Sequence, residues 1–258
     1  MPERPLALAL VLAILTAPAI DAQEDLNGTL ARIDSLDSAG AFAQALALAE
    51  PLLAAHPDNC RLLCLLAEVQ TDLAVYRADS LEIERQKELC VAALTAARRA
   101  VECDPGYVEG WFQAAQAAGT LSGLPGGGET VAYCREAKEA FERALACDPG
   151  HIWSLHGLAV WHREVAAVPG TVRLAANVLY GGLGRGSNRE AVRLFSEAIR
   201  LNPDSIRHHL ELGKTYLEMK EWDLARAELE RVTRLPARLY YDENLKVEAR
   251  QLLVGLRH

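Results

Sequence analysis

Ala137-Lys138-Glu139-Ala140-Phe141-Glu142-Arg143-Ala144-Leu145-Ala146-Cys147-Asp148-Pro149-Gly150 is the stretch from which the fold is read. Counted back from Pro149, Ala144 stands at five, Phe141 at eight and Ala137 at twelve, so on an α-helix all three share one face. The two small residues let a second helix approach closely, and the ring between them fills the gap. Pro149 ends the helix because it has no N–H with which to continue the ladder. The offsets return before three other prolines: Ala198, Phe195 and Ala191 before Pro203; Ala100, Ala97 and Ala93 before Pro105; Leu52, Ala49 and Ala45 before Pro57.

Counting forward shows the partner helix. Six, nine and ten residues after each proline stand Leu63, Leu66 and Ala67; Trp111, Ala114 and Ala115; Leu155, Leu158 and Ala159; His209, Leu212 and Gly213. A bulky group followed by smaller ones marks a second buried face, so each proline lies between two helices that pack together. Half of the residues are apolar, Ala and Leu dominate and aromatics are 6%, a composition that favours helix over strand. The expected fold is all-α, an α-solenoid of antiparallel helix pairs.

This pattern resembles the tetratricopeptide repeat (TPR), a helix-turn-helix unit of about 34 residues with Trp, Leu-Gly, Tyr, Ala, Phe, Ala and Pro at set positions. The fullest copy joins Leu212, Gly213, Tyr216, Ala225 and Pro236. The prolines are 48, 44 and 54 residues apart, so each repeat carries an insertion. Helix-forming residues around 76–86 lengthen both helices of the first complete repeat. Residues 119–130, with Gly-Leu-Pro-Gly-Gly-Gly, are expected to form a loop. In 165–188, Pro169-Gly170 opens a short helix that runs to Tyr180, and a flexible glycine-rich turn follows over 181–187. A helix over about 242–256 caps the last apolar face. The domain organisation expected is a signal peptide over 1–22, a degenerate TPR-like helix pair over 23–57, and an irregular solenoid with its cap over 58–258.

The irregular spacing, together with Trp161-His162-Arg163-Glu164-Val165-Ala166, Tyr180-Gly181 and Asn188-Arg189-Glu190-Ala191-Val192, is similar to the regulator of microtubule dynamics family across roughly 58–253. Through the family's name, the resemblance implies attachment to microtubules, while the repeat architecture points to a non-catalytic protein that holds other proteins. The N-terminus argues against microtubule attachment. Arg4 precedes an uncharged run over 5–20, and Ala17-Pro18-Ala19-Ile20-Asp21-Ala22 follows the layout of a secretory cleavage site after Ala22. The 16 uncharged residues fall short of the roughly 20 a spanning helix needs, so no stable membrane span is expected after cleavage. A periplasmic or secreted location follows.

Lys and Arg number 27 against 35 Asp and Glu, and so acidic a chain is a poor partner for nucleic acid. Six cysteines in an exported chain invite a disulfide framework. Cys90 and Cys103 fall on one helix, as do Cys134 and Cys147, and 13 residues of helix separate each pair by roughly 20 Å, beyond bonding reach. Cys103 and Cys147 occupy equivalent points, where small buried apolar groups are expected. The pairing that remains open is Cys60 or Cys64 with Cys103. His56, Cys60 and Cys64 lack a fourth ligand, so no metal or other cofactor is expected. Residues 181–187 lack a Lys-Ser/Thr ending, which excludes a phosphate loop, and His156, His162 and Glu164 have no nucleophile beside them.

What remains is the concave face formed by the first helix of each pair. Helical spacing places Phe112, Gln116, Trp153, His156, Val160, Arg163, Arg207, Leu210 and Lys214 on it. Aromatics and cations together suggest a groove for a protein or peptide carrying a carboxylate, such as a chain terminus, with Arg163, Arg207 and Lys214 as donors. The alternative function is a structural subunit of a larger or homo-oligomeric envelope assembly.

Overall fold

A computed structural model describes residues 17–77, 80–239 and 241–256, with side chains from Leu26 onward. Among the described residues there are twelve helices and no strand: α1 Ala17–Ser38, α2 Phe42–Ala55, α3 Cys60–Tyr76, α4 Ile83–Cys103, α5 Val108–Gly123, α6 Gly127–Cys147, α7 Ile152–Ala167, α8 Gly170–Tyr180, α9 Asn188–Leu201, α10 Ile206–Glu218, α11 Trp222–Arg234 and α12 Asp242–Gly255. Residues 1–16 of the expected signal peptide lie outside the described residues, and the expected cleavage point after Ala22 falls within α1.

The proline turns do what their residues dictate. In both Cys-Asp-Pro-Gly copies the aspartate folds back on the turn: Asp104 Oδ1 accepts from Gly106 N at 2.9 Å and Asp148 Oδ1 from Gly150 N at 2.8 Å. Asn59, His151, Ser187 and Ser205 then cap α3, α7, α9 and α10 through side-chain acceptors. The bulky residue six positions after the proline closes the turn from the other side. Trp111 Nε1 donates to Pro105 O at 2.8 Å, and His209 Nε2 lies 3.0 Å from Pro203 O.

Helices pair as α3 with α4, α5 with α6, α7 with α9 and α10 with α11, and α12 covers the end. Every alanine and both phenylalanines of the back-counted pattern are buried. A fully buried phenylalanine such as Phe195 contributes on the order of 2–3 kcal/mol relative to exposure. One core runs from α1 to α10, where Leu212 joins it, and a smaller one lies among α10, α11 and α12.

Two expectations require correction. Residues 119–130 are not a loop: α5 continues to Gly123 and α6 begins at Gly127, so the insertion lengthens both helices and only three residues link them. Cys103 and Cys147 are exposed rather than buried, because each marks the end of a second helix, where its thiol faces the preceding turn: Cys103 Sγ is 3.7 Å from Asp58 O and Cys147 Sγ 3.9 Å from Pro105 O. The glycine-rich turn is also fitted closely against α7. Gly181, Gly182 and Gly184 have φ of 77°, 87° and 81°, which side chains disfavour, and a Cβ on Gly186 would lie 2.2 Å from Ala166 N on α7.

Candidate functional site

The first helices turn a common face toward the hollow of the superhelix. Thr71, Asp72 and Val75 of α3, Phe112, Gln116 and Thr120 of α5, Trp153, His156, Val160 and Glu164 of α7, and Arg207 of α10 line a cavity of about 340 Å³. Phe141 and Ala137 of α6 form part of its floor. A second cavity of about 240 Å³ adjoins it, sharing Thr71, Asp72, Phe112, Gln116, Trp153 and Arg207 and adding Asp37, Ser38, Glu68, Gln113, Leu239 and Tyr241.

Six of the nine groove residues read from spacing, Phe112, Gln116, Trp153, His156, Val160 and Arg207, line this hollow, and Leu210 is buried in the core instead. Arg163 and Lys214 do not line it either, and the expected trio of cations therefore does not form. Arg163 is only 5% exposed and is bound by Glu211, Glu164 and Glu218. Lys214 bridges Glu211 and Glu248. Burial alone would push the Glu211 carboxyl up, but Arg163 and Lys214 outweigh it and hold it below the usual carboxylate range. This network ties α7 to α10 and α12 and is structural.

Arg207 alone of the three faces the cavities. Its Nη2 donates to the Tyr76 hydroxyl, and its guanidinium lies 4.3 Å from the Tyr241 ring centroid; the two tyrosine rings stack 5.4 Å apart. A residue of α3 thus meets a residue of α10, 131 positions away in the chain. The superhelix curls far enough for its early and late repeats to touch across the groove.

His156 is buried with His208, their Nδ1 atoms 2.9 Å apart. Burial holds both below the usual histidine range, with His208 lowered to about 4 and His156 further disfavoured as a cation by His208 and Arg207. The two imidazoles are therefore held neutral near neutral pH. Burial, then the neighbouring Cys103, pushes the Cys60 thiol up, and all six cysteines are free thiols in this structure.

The feature missed in the sequence is acidic. Burial, then Asp72 and Asp34, pushes Asp37 up to about 7; burial, then Asp37, Asp72, Glu109 and Asp34, pushes Glu68 up to about 8; burial raises Asp72 to about 6 although Arg207 pulls it down. The offset that identifies Gln116, eleven after its proline, identifies Glu68 eleven after Pro57, so half of this wall was open to the same counting. Asp37 stands before the first proline turn, where no offset applies.

Comparison with known proteins places this geometry. A thermophilic TPR protein of Thermus thermophilus superposes with a TM-score of 0.66 at 19% identity, covering 88% of this chain and 98% of that one. PilF of Pseudomonas aeruginosa superposes with a TM-score of 0.53 at 15% identity, covering 91% and 89%. Both show the fold alone. In sequence, Regulator of microtubule dynamics protein 1 of Mus musculus is 29% identical over 77% of this chain, and that of Bos taurus 30% identical over 77%. The chain spans 65% and 62% of the length of these two relatives. The family described as Regulator of microtubule dynamics protein 1-3 matches residues 29–257. This chain, a TPR-type α-solenoid, belongs to that family.

Proposed function

We propose that the protein is a non-catalytic scaffold of the periplasm or secretory compartment that holds a peptide or an extended protein segment in its concave groove. The single observation that supports the groove is the pair of adjoining cavities lined by first helices, with Phe112, Gln116 and Trp153 shared between them and Trp153 exposed at the rim. An apolar hollow with a few convergent polar groups is the ordinary form of a binding site. Export is supported by the N-terminal sequence. A carboxylate-bearing ligand has less support than the spacing suggested, since Arg207 is the one cation of the expected trio in the hollow and it faces Asp72.

The test is selection of peptides from a displayed random library against the full chain, followed by titration against the Gln116→Trp variant, which fills the shared lining. The expected result is at least about a tenfold loss of affinity, on the order of 1.4 kcal/mol. Selected peptides that bind the variant as tightly as the parent would place their site elsewhere and reject the groove.

A second reading, a structural subunit of a homo-oligomeric assembly, rests on α8. Val172, Leu174, Leu179 and Tyr180 of this short helix are exposed, and Val178 is 74% exposed. Such a patch on a monomer marks a contact surface. If copies join there, Leu174→Glu with Val178→Glu converts the assembled species to monomer in light scattering; if the parent chain is already monomeric at 100 μM, roughly the concentration at which weak contacts show, this reading fails.

A further inference from the structure

We propose that the end of the groove between α1, α3 and α5 is a subsite for a cationic side chain, lysine or arginine, of the bound peptide, with Asp37, Glu68, Asp72 and Thr71 as its acceptors. The inference rests on the groove reading above and adds the chemistry of one position within it.

Asp37 is 6% exposed and its Oδ1 has no hydrogen-bond partner; Thr71 is 3% exposed and its Oγ1 has none either. Both line the same 240 Å³ cavity, as do Glu68 and Asp72. A buried polar atom without a partner costs about 1–3 kcal/mol, and here the two residues that carry such atoms line one hollow together with two further carboxyl side chains. Among the described residues, none of these three acids takes part in an ion pair. Arg207 is the cation beside them, but the Tyr76 hydroxyl and the Tyr241 ring hold its guanidinium, and its Nε is itself unpartnered.

The occupant follows from charge and shape. Among the described residues no group of three or more His, Cys, Asp or Glu is placed to hold a metal ion. An ammonium or guanidinium, by contrast, brings several N–H donors to acceptors spread over a wider hollow. A peptide side chain is favoured over a free amine because the acidic cavity opens through Phe112, Gln116 and Trp153 into the larger, more apolar one, where neighbouring side chains of the same peptide would sit.

The charged and titratable groups around Asp37 are Asp34 on its own helix, Glu68, Asp72 and Tyr76 on α3, Glu109 on α5, Arg207 on α10 and Tyr241 before α12. The negative groups outnumber the single arginine. Asp37 near 7 and Glu68 near 8 hold part of their protons at neutral pH, and an arriving cation favours the ionised forms, so binding should release protons.

The experiment uses the full chain and two randomised hexapeptide pools that differ only at a fixed central position, lysine in one and the uncharged norleucine in the other, with spermidine as the free amine. Calorimetry in two buffers of different ionisation heat reads affinity and proton release together at pH 7. The expected result is about tenfold tighter binding of the lysine pool, with net proton release. Asp37→Asn, a near-isosteric change checked for folding by circular dichroism, should bring the ratio of the two affinities to within about twofold of one and reduce the proton release; Asp72→Asn provides a second variant with the same expected direction. Equal binding of both pools overturns the cation subsite and leaves the groove reading standing. Binding of neither pool overturns both. Spermidine binding as tightly as the lysine pool overturns the assignment to a peptide.

Discussion

Gly157→Ala is expected to destabilise the fold by about 2–3 kcal/mol, lowering the melting temperature by roughly 5–10 °C in a chain of this size. The Cβ would stand 2.2 Å from Phe141 Cζ and 2.3 Å from Cε1. Phe141 is the ring that fills the gap between Ala137 and Ala144, and it is buried, so it cannot swing into solvent to make room. It also lies 6.4 Å, ring to ring, from Phe112, a groove residue, so displacing it disturbs the cavity as well as the core. Thermal melts followed by circular dichroism measure the loss. Adding Phe141→Leu to Gly157→Ala should restore part of it, because the shorter side chain clears the new methyl. An unchanged melt for Gly157→Ala would show that the plug is loosely seated and that close approach of α6 and α7 is not what registers the repeats.

Arg163→Met is expected to cost about 3–5 kcal/mol, since it leaves the Glu211 carboxylate buried with Lys214 as its remaining partner. A substitution at a solvated groove position would cost about 0.5 kcal/mol or less, so the size of the effect separates a structural arginine from a ligand-binding one. The companion change Glu211→Gln, made together with Arg163→Met, should recover most of the loss because it removes the stranded charge. The sign with pH follows from Glu211, whose carboxyl is held below its ordinary range. Its contribution is present above the unfolded carboxylate value of about 4.3 and disappears as pH falls through the lower folded value. The gap between parent and Arg163→Met should therefore narrow as the pH is lowered below about 4.3, and denaturant midpoints across pH 3.5–8 measure it. A gap that widens toward acid would mean that Arg163 does not stabilise the ionised form of Glu211.

The repeat architecture was legible because it rests on one-dimensional distances. Ala137, Phe141 and Ala144 face inward for the same reason as Ala191, Phe195 and Ala198: a helix places residues at fixed angles, and a proline fixes where the count begins. The concave lining was partly legible by the same arithmetic, which found Phe112, Gln116, Trp153, His156, Val160 and Arg207. It failed at Arg163 and Lys214 because spacing tells which side of a helix a residue occupies and not how closely the next helix approaches. There α10 and α12 bring Glu211 and Glu248 within ion-pair distance and close that part of the face.

Glycines misled in the opposite way. Gly119, Gly123, Gly127 and Gly128 read as a loop, yet all four lie within α5 or α6, while the glycines of 181–187 are required by positive φ and by contact with the α7 backbone. Composition is shared by the two segments, and composition alone does not tell helix from turn.

By itself, then, the amino-acid order determined the helix pairs, their turns, the buried faces and the family to which the chain belongs, because each depends on contacts between residues within about one repeat of each other. Only the tertiary structure decided the character of the groove. The superhelical curl carries Arg207 to Tyr76, and the packing of α1 on α3 sets Asp37 beside Glu68 and Asp72, converting a face that reads as cationic into one walled by acids. That curl is the accumulation of small rotations between successive repeats, so it is written in no single stretch of the chain.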